Sequence, residues 1–380
     1  MSSRKILFIT GSRGEYGYIR PILRIIEQDD ELEYQILATN MHLLPEFGDS
    51  LKQFVNDGFS VDYKPLMTFG GYTPQSMVKS LSVLGISLVD ILDHSKPDII
   101  LLAGDRGEQL MAAIAGSHMN IPVAHIQAGE LSGNIDGLSR HAIARFSHIH
   151  FASNEDAENR LIRSGEQDFR VFNVGAPQLD EFVSGTITPK EVLEGKYGGV
   201  SGDYILFIQH SVTEQHSEAY DQVSLTLKAI CEIGIQTLVI APNSDAGSAL
   251  VNAAIIDNIS NLIHVYRNVP REDYASLMQH AKCIVGNSSS GLLEAPSFGL
   301  PAVNIGRRQE GRYQGVNVIN CSHQIDDIKE SIKHALSSEF KLRIQGMKNP
   351  YGDGKSSERI VNILKTIPID ENLLLKKITF

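Results

Sequence analysis

The sequence has few cysteines and no excess of positive charge. Its three cysteines stand far apart at positions 231, 283 and 321, and no histidine or cysteine lies beside them at the spacing of a metal site. They predict free thiols and a cytoplasmic location. The 34 Lys and Arg residues are outnumbered by 45 Asp and Glu residues, so the net charge is −11. This balance argues against nucleic acids or anionic membranes as partners, and an anionic ligand must be bound by local groups.

Long uninterrupted apolar segments are also absent. The N-terminal apolar run, residues 6–9, is too short for the core of a signal peptide and leads into a glycine turn. The stretch between Glu108 and Glu130 lacks charged residues, but polar residues such as Ser117 and Asn120 interrupt it, which argues against a membrane span. With 42% hydrophobic residues, 32 Gly and 14 Pro, the composition excludes disordered and collagen-like chains. We therefore expect a globular protein.

Short β-branched runs alternate with amphipathic segments of helical length, a pattern typical of parallel sheets with helices on both faces. The predicted strands are Ile6–Thr10, Tyr34–Thr39, Asp98–Ala103, Pro122–Gln127, His148–Ser153, Tyr204–Gln209, Gln236–Ala241, Lys282–Gly286 and Pro301–Ile305. The predicted helices are Tyr18–Gln28, Ser76–His94, Arg106–His118, Ala219–Ile233 and Arg271–His280. The sequence therefore predicts an α/β fold.

The length of 380 residues fits two domains of roughly 150–200 residues each. The alternation stops around residues 184–202, where Pro189 and several glycines cluster. We place the boundary slightly earlier, with an N-terminal domain over residues 1–170 and a C-terminal domain over residues 171–354. Two doubly wound domains would bind a ligand in the cleft between the carboxyl ends of their strands.

The first candidate site follows the first predicted strand, where the chain reads Gly11-Ser12-Arg13-Gly14-Glu15-Tyr16-Gly17. The glycines let the backbone approach a phosphate, and Arg13 supplies a forked cation. The pattern is neither the dinucleotide-binding glycine motif nor a P-loop, whose Gly-Lys-Ser/Thr ending is missing. The alternative is a plain strand-to-helix turn with a solvated arginine.

Carboxylates follow the next two predicted strands. Asp105 comes after the buried run that ends at Ala103, and Glu130 and Asp136 follow the strand that contains His125. Carboxylates gathered at one sheet edge with histidines can move protons, because crowding of like charges raises some carboxylate pKa values. The alternative for Asp105 is a cap of the following helix, and each of the other two could be a cap or an ion-pair partner.

The strongest local pattern is Gly286-Asn287-Ser288-Ser289-Ser290-Gly291, followed by Glu294 and Pro296. Small hydroxyl residues at the start of a helix offer N–H groups and the helix dipole to a phosphate, and Glu294 could accept hydrogen bonds from both ribose hydroxyls. Helix capping by serine is the alternative.

Two further motifs follow strands of the second predicted domain. His210 comes after its first strand and is either a phosphate ligand or acid, or a surface histidine. Arg312 belongs to an arginine-rich loop that either compensates a dianion or is solvated. His42, after the second strand of the chain, is equally ambiguous by itself.

Together these motifs resemble the hydrolysing UDP-N-acetylglucosamine 2-epimerases of sialic-acid and related nonulosonate biosynthesis, from the Arg13 loop to about residue 365. The resemblance implies the GT-B architecture, two Rossmann-like domains with parallel sheets and a cleft between them, with a C-terminal helix (about residues 355–380) that returns to the first domain. It also implies a homo-oligomer, either a dimer or a tetramer.

The resemblance assigns roles to individual residues. It implies that the nucleotide is held by Arg13, His210, Ser288, Ser289, Glu294 and Arg312. It implies that Asp105, Glu130 and Asp136 act at the sugar, near His42 and His125. From the same motifs we add Arg106, Arg140, Ser290 and Gly291 to the expected binding residues.

Some positions separate this chain from parts of the family. Ser211 follows His210 where relatives often have Pro, and Gln127 stands where many carry His or Glu. The loop Gly11–Glu15 and the ending of the segment His125–Glu130 look like the hydrolysing branch rather than the non-hydrolysing one.

The implied reaction needs no cofactor or metal, because Arg13, His210, the serine-rich turn and Arg312 can neutralise the departing diphosphate. A carboxylate then removes the C2 proton to give a glycal, water adds at C1, and a proton returns to the opposite face of C2. The expected products are UDP and N-acetylmannosamine, and Asp105, Glu130, Asp136 and His210 form the expected catalytic set. A non-hydrolysing epimerase, a GT-B glycosyltransferase and a catalytically silent nucleotide-sugar sensor are the alternatives, and the exact sugar and base stay open.

Overall fold

The computed structural model describes residues 3–45, 50–70, 74–131, 135–185, 187–242, 247–267 and 269–379. The chain divides into two compact units. Unit 1 comprises Met1–Leu131, Ile135–Glu181 and Tyr351–Phe380. Unit 2 comprises Phe182–Pro350.

Each unit contains one six-stranded parallel sheet. The strands are β1 (Arg4–Thr10), β2 (Leu32–Ala38), β3 (Ile99–Ala103), β4 (Val123–Ile126), β5 (Ile149–Ala152), β6 (Val171–Asn173), β7 (Tyr204–Ile208), β8 (Gln236–Ile240), β9 (Ile263–Tyr266), β10 (Ile284–Gly286), β11 (Ala302–Ile305) and β12 (Val318–Cys321). Their order is β2-β1-β3-β4-β5-β6 in unit 1 and β12-β11-β10-β7-β8-β9 in unit 2. The predicted parallel α/β class is therefore confirmed.

Helices connect the parallel strands. They are α1 (Arg13–Ile26), α2 (Leu51–Asn56), α3 (Pro74–Ser95), α4 (Gly107–His118), α5 (Ile135–Phe146), α6 (Glu155–Arg163), α7 (Gln178–Ser184), α8 (Lys190–Glu194), α9 (Ala219–Ile233), α10 (Ser248–Asp257), α11 (Arg271–His280), α12 (Ser290–Leu293), α13 (Ile325–Leu336), α14 (Ser338–Ile344), α15 (Ser356–Thr366) and α16 (Glu371–Leu374). The central strands β1, β3, β7 and β10 consist mainly of buried aliphatic residues, as expected for strands covered on both faces.

The strands that the sequence pattern did not identify are β6, β9 and β12, and all three lie at sheet edges. They are three or four residues long and only partly buried. An edge strand therefore lacks the continuous apolar run that marks a central strand. Because β6 pairs with β5, residues 171–173 belong to unit 1. The boundary expected after residue 170 is corrected to follow Glu181.

The C-terminal segment lies in unit 1, where α15 buries Ile360 and Leu364 in the same core cluster as Ile19 and Ile22 of α1. Among the described residues, one helical segment, Gln75–Ser95, is long and apolar enough to cross a membrane by length and composition alone. Its Leu84 and Leu88 belong to a core cluster of unit 1, a pattern typical of a helix that covers one face of a sheet.

Candidate active site

In unit 1 the turn after β1 is organised by a capping box at the start of α1. Ser12 is the N-cap, and its Oγ accepts a hydrogen bond from Glu15 N (3.4 Å). Glu15 Oε2 in turn accepts from Gly11 N (2.5 Å) and Ser12 N (3.1 Å). This reciprocal arrangement satisfies N–H groups that a helix start would otherwise leave without partners.

The capping box corrects the expected position of Arg13. The helix was predicted to begin at Tyr18, with Arg13 in a preceding loop, but α1 begins at Arg13. The earlier start follows from the Ser12–Glu15 pair, which the hydrophobic period alone does not reveal. Arg13 is exposed in the first turn of the helix. Its cation therefore lies at the carboxyl edge of the sheet, where a phosphate can reach it.

A second carboxylate lies beneath the same turn. Glu108 of α4 is buried, accepts a hydrogen bond from Asn40 Nδ2, and lies 3.6 Å from Arg106 Nε. A Cβ at Gly11 would stand 2.9 Å from Glu108 Oε1, so a side chain there would displace the Glu108 carboxylate. Burial and the neighbouring Glu108 carboxylate raise the pKa of Glu15 to about 8. The folded protein therefore holds a proton at this carboxylate pair more tightly than the unfolded chain does.

The raised pKa of Glu15 predicts how stability depends on pH. The ordinary value is 4.5, so between that pH and about 8 the unfolded chain binds fewer protons than the folded protein. The free energy of unfolding should then fall as the pH rises through this window. Glu15→Gln keeps the capping-box acceptor and has no proton to release. Its free energy of unfolding should therefore fall less than that of wild type as the pH rises. Urea denaturation at several pH values measures both.

A suitable control for this prediction is Glu27→Gln. Glu27 is exposed at the opposite end of α1, so this variant should keep the wild-type pH dependence. Equal pH slopes for wild type and Glu15→Gln would contradict the assignment of the proton to Glu15.

Asp105 lies directly after β3 and is paired with Arg140 of α5. Arg140 Nη2 forms an ion pair with Asp105 Oδ2, and Arg140 Nη1 donates to Gln127 O (2.8 Å). The arginine side chain is 3% exposed, whereas that of Asp105 is 21% exposed. The N-cap position of α4 is occupied by Arg106, one residue after Asp105. The Asp105 carboxylate is thus partly accessible to solvent and is held in place by Arg140.

Arg140 is buried and in a position to orient Asp105, and its expected contact with the substrate stays a prediction. The same holds for His125. It has no exposed surface, and its Nε2 hydrogen-bonds with Gly104 O (2.6 Å). Burial lowers the pKa of His125 to about 3. This neutral histidine supports the turn before Asp105.

His42 is also buried in unit 1. Its Nε2 lies 3.0 Å from Thr10 Oγ1, and its ring packs 5.1 Å from that of Phe54. Burial lowers the pKa of His42 to about 4. The expected contact of His42 with the sugar stays a prediction.

Other candidates of unit 1 lie near the end of β4. Glu130 is buried four residues after this strand, and Arg106 is partly exposed at the start of α4. Asp136 falls in the first turn of α5, but its side chain lies outside the described residues. Gln127 has a φ of 61°, and its side chain is buried.

The two described carboxylates follow neighbouring strands. Asp105 comes after β3 and Glu130 after β4, and these strands are adjacent in the sheet.

In unit 2, Asn287 joins the ends of two adjacent strands. His210 N donates to Asn287 Oδ1 (2.7 Å), and Asn287 Nδ2 donates to His210 O (2.8 Å). Gly286 has a φ of 129°, and a Cβ there would lie 2.0 Å from Ile208 O. The close approach of β7 and β10 therefore requires glycine. This clamp fixes the backbone of half-buried His210 at the carboxyl edge of the sheet.

The loop after β11 is tied to the same asparagine. Arg308 Nη1 and Gln309 Nε2 donate to Asn287 O at 3.2 and 2.9 Å. The backbone of Arg312 is held by a hydrogen bond from its N to Gln309 O (3.1 Å). The arginine-rich loop is therefore connected to the serine-rich turn.

The serine-rich turn begins a short helix. The helix α12 has four residues and passes into a 3-10 turn at Ala295–Phe298, because Pro296 cannot continue it. The helix dipole expected at this turn is therefore only a small contribution. Its N-cap, Ser289, makes no capping hydrogen bond, and Ser288 Oγ accepts from Ser290 N (3.3 Å). The partly exposed turn retains hydroxyl and N–H groups that can contact a phosphate.

Glu294 lies in a mixed polar and aromatic environment. Burial raises the pKa of Glu294, and the nearby Arg271 and Arg312 guanidinium groups oppose that rise. Burial and the Glu294 carboxylate raise the pKa of Tyr274. The Arg271 guanidinium stacks 4.5 Å from the ring of Phe182. These groups surround a carboxylate suited to accept hydrogen bonds from the hydroxyls of a ribose.

Sequence reasoning missed several residues of these regions. Glu15 could have been found from the Ser-x-x-Glu capping signal, and Asn287 stands inside the motif that directed attention to the serines. Arg271 and Tyr274 carried no signal, because only tertiary packing brings them near Glu294. Across residues 3–45, 50–70, 74–131, 135–185, 187–242, 247–267 and 269–379, no group of three His, Cys, Asp or Glu side chains is arranged to hold a metal ion.

Comparisons with known proteins identify the family of this chain. A family model described as UDP-N-acetylglucosamine 2-epimerase matches residues 24–365. The UDP-N,N'-diacetylbacillosamine 2-epimerase (hydrolyzing) of Legionella pneumophila is 36% identical over 375 residues, which cover 98% of each chain. The UDP-N-acetylglucosamine 2-epimerase of Neisseria meningitidis is 31% identical over 334 residues, 88% of each chain.

Comparison with solved structures shows a similar fold. The crystal structure of UDP-GlcNAc 2-epimerase from Neisseria meningitidis bound to UDP-GlcNAc matches with a TM-score of 0.80 and 22% identity, covering 95% of this chain and 99% of that one. This likeness confirms the expected GT-B-like two-domain fold. The match of the family model to most of the sequence confirms the expected family. This chain therefore belongs to the UDP-N-acetylglucosamine 2-epimerase family.

Proposed function

We propose that this chain is a hydrolysing UDP-sugar 2-epimerase that releases UDP and a free 2-acetamido sugar with inverted configuration at C2. The observation that carries the proposal is Asp105, an accessible carboxylate held by buried Arg140 next to the strand that leads to Glu130. The similarity to the Legionella enzyme, whose name specifies hydrolysis, supports the hydrolysing branch.

In the proposed reaction the groups of unit 2 bind the nucleotide. Ser288 and Ser289 hold the diphosphate with His210, and Glu294 accepts hydrogen bonds from the ribose. Donors aimed at the departing oxygen lower the barrier to cleavage of the anomeric C–O bond, because they stabilise charge as it develops. Arg13 of unit 1 and Arg312 contribute further positive charge. No bound cofactor enters this scheme.

The carboxylates of unit 1 carry the proton transfers. As positive charge develops at C1, the C2 proton becomes acidic, and we propose that Asp105 or Glu130 removes it to give the glycal. Water adds to C1, and a second group, with Asp136 as a further candidate, protonates C2 from the opposite face. The balance is one UDP-sugar and one water converted to UDP and the 2-epimer.

The substrate is proposed to be UDP-N-acetylglucosamine or a close 2-acetamido analogue. The relative from Neisseria meningitidis is named for the former and that from Legionella pneumophila for UDP-N,N'-diacetylbacillosamine. With UDP-N-acetylglucosamine the product would be N-acetylmannosamine. We further propose a homo-oligomer in the cytoplasm, and the free state of all three cysteines supports a reducing compartment.

The decisive experiment is the reaction of both nucleotide sugars in D₂O, followed by NMR. Because the glycal is reprotonated from solvent-exchanged groups, the released free sugar should carry deuterium at C2 with inverted configuration, together with equimolar UDP. A sugar that keeps its C2 hydrogen or its configuration would overturn the proposal. Recovery of a UDP-linked 2-epimer would indicate the non-hydrolysing reaction, and transfer only in the presence of an acceptor would indicate a glycosyltransferase.

A further inference from the structure

The position of Asp105 depends on α5, because this helix carries Arg140. The guanidinium of Arg140 contacts both Asp105 and the carbonyl of Gln127. Any displacement of α5 therefore moves the partner of the proposed catalytic carboxylate. What holds α5 is thus relevant to the chemistry at the sugar.

The C-terminal end of α5 is held by Lys376, from the last residues of the chain. Lys376 Nζ donates to Ala144 O (2.6 Å), Arg145 O (3.2 Å) and Ser147 O (2.7 Å). The last carbonyl groups of a helix lack intrahelical partners, and a cation there also complements the helix dipole. A lysine distant in sequence therefore serves as the C-terminal cap of the helix that bears Arg140.

Lys376 is fixed from its other side by a buried carboxylate. Its Nζ lies 2.7 Å from Glu166 Oε2, and Glu166 is 1% exposed. The same carboxylate hydrogen-bonds with His150 Nε2 (3.0 Å) and Arg145 Nη1 (3.1 Å). His150 lies on β5, adjacent to the strand β4 that precedes Gln127. The cluster thus connects the C-terminal segment to the sheet beneath the site.

The segment around Lys376 is itself anchored by a buried arginine. Arg170 has no exposed surface, and its guanidinium donates to Leu373 O (2.6 Å), Asn372 O (2.7 Å) and Leu375 O (3.3 Å). Thr379 N donates to Gly165 O (3.1 Å). These bonds hold the end of the chain in one path along unit 1, so the ammonium is presented to α5 at a fixed position.

We propose that Lys376 is a positioning residue for the reaction, which caps α5 and thereby holds Arg140 and Asp105 in their working arrangement. This inference rests on the proposed function, since it takes Asp105 as a catalytic carboxylate. Nothing in the sequence pattern distinguishes Lys376 from other lysines. The contacts alone assign the role.

The charge environment makes this cap sensitive to pH. Burial lowers the pKa of Lys376 to about 8, while the facing Glu166 opposes the shift and Arg170 and Arg145 add to it. His148 and His150 also face the ammonium, and burial lowers the pKa of each to about 4, so both are neutral near pH 7. Burial by itself would raise the pKa of Glu166, but His150 and Lys376 lower it overall. The ammonium should thus lose its proton before ordinary lysines do.

The test compares Lys376→Met and Lys376→Arg with wild type in the full-length enzyme. Methionine keeps the length of the side chain but donates nothing, so kcat should fall by roughly ten- to a hundredfold with KM for the UDP-sugar nearly unchanged. Arginine stays protonated at all working pH values. The ratio of kcat for Lys376→Arg to kcat for wild type should therefore be constant below about pH 8 and rise above it. Taking the ratio cancels every other titrating group, including Glu15.

Lys365→Met is the matched control. Lys365 also lies in the C-terminal part of unit 1, and its Nζ pairs with Asp29 (3.0 Å) and Glu31 (2.7 Å), but it does not contact α5. This variant should keep the wild-type kcat. Hydrogen exchange of the last amides of α5 should be faster in Lys376→Met than in Lys365→Met.

The outcomes separate the inference from the proposed function. Unchanged kcat in Lys376→Met, equal losses in the two methionine variants, or a flat ratio for Lys376→Arg would overturn the inference and leave the function intact. If Lys376→Met does not fold, the ratio for Lys376→Arg decides. If the wild type converts no UDP-sugar, the proposed function fails, and hydrogen exchange then tests the cap independently. The cap would be overturned if the exchange rates of the last α5 amides in wild type, relative to those in Lys376→Arg, were the same above and below pH 8.

Discussion

Turnover of the UDP-sugar should fall by roughly 10²- to 10⁴-fold when Asp105 is replaced by asparagine, the range expected for loss of a general acid–base group. Asparagine preserves the size of the side chain and gives Arg140 Nη2 an amide oxygen to contact, so the fold should be retained. The variant cannot accept the C2 proton. UDP affinity should change little, because the proposed nucleotide ligands lie mainly in unit 2. Steady-state kinetics and UDP titration calorimetry measure the two effects.

Asp98→Asn is the control for this substitution. Asp98 lies just before β3, at the end of the strand opposite to Asp105, and its Oδ2 accepts a hydrogen bond from Lys5 N (2.7 Å). Its replacement should leave kcat near the wild-type value. If Asp105→Asn kept kcat within about threefold of wild type, Asp105 would have to be removed from the proton-transfer scheme.

The second large effect is expected from Arg140→Met. This variant removes the ion pair with Asp105 and the donor to Gln127 O, so the carboxylate loses its orientation. Misplacement of a reacting group by about 1 Å can cost about a hundredfold in rate, and we expect kcat to fall by that order. The free energy of unfolding should fall by about 1–3 kcal/mol, since the Gln127 carbonyl is left without its donor while Asp105 keeps partial access to water.

Kinetics and urea denaturation together test this expectation. Arg359 of α15 forms an exposed ion pair with Asp353 and donates to Val174 O (3.2 Å), and Arg359→Met should leave kcat unchanged. Arg140→Lys should recover only part of the rate, because an ammonium cannot reproduce the planar contact to two acceptors. A wild-type kcat in Arg140→Met would show that Asp105 does not depend on this arginine.

Much of the fold could be predicted from local pattern. The strands β1, β3, β7 and β10 are runs of aliphatic residues followed by glycine or polar residues, and that signal lies within a few adjacent positions. Their parallel pairing then places Asp105 and the serine-rich turn at carboxyl edges. The strands β6, β9 and β12 were not predicted from the sequence, because these edge strands bury only part of their surface and lack a continuous apolar run.

The candidate site was only partly predictable, for a similar reason. The residue types after each strand identified Arg13, Asp105, Glu130, His210 and Glu294 as candidates. The sequence could not show that His42 and His125 are buried, or that Arg140 pairs with Asp105. Burial and pairing depend on segments that meet only after the chain has folded.

The sequence by itself determined the α/β class, the central strands and the chemistry that follows them, since hydrophobic periodicity and turn residues act over short distances. Only the tertiary structure decided which polar groups are paired. The Glu108 carboxylate raises the pKa of Glu15, and Asn287 forms two hydrogen bonds to the backbone of His210. Lys376 caps the helix that carries Arg140. Their protonation and orientation follow from burial and from partners far away in sequence, because the cost of desolvating a charge depends on the surroundings that the whole fold provides.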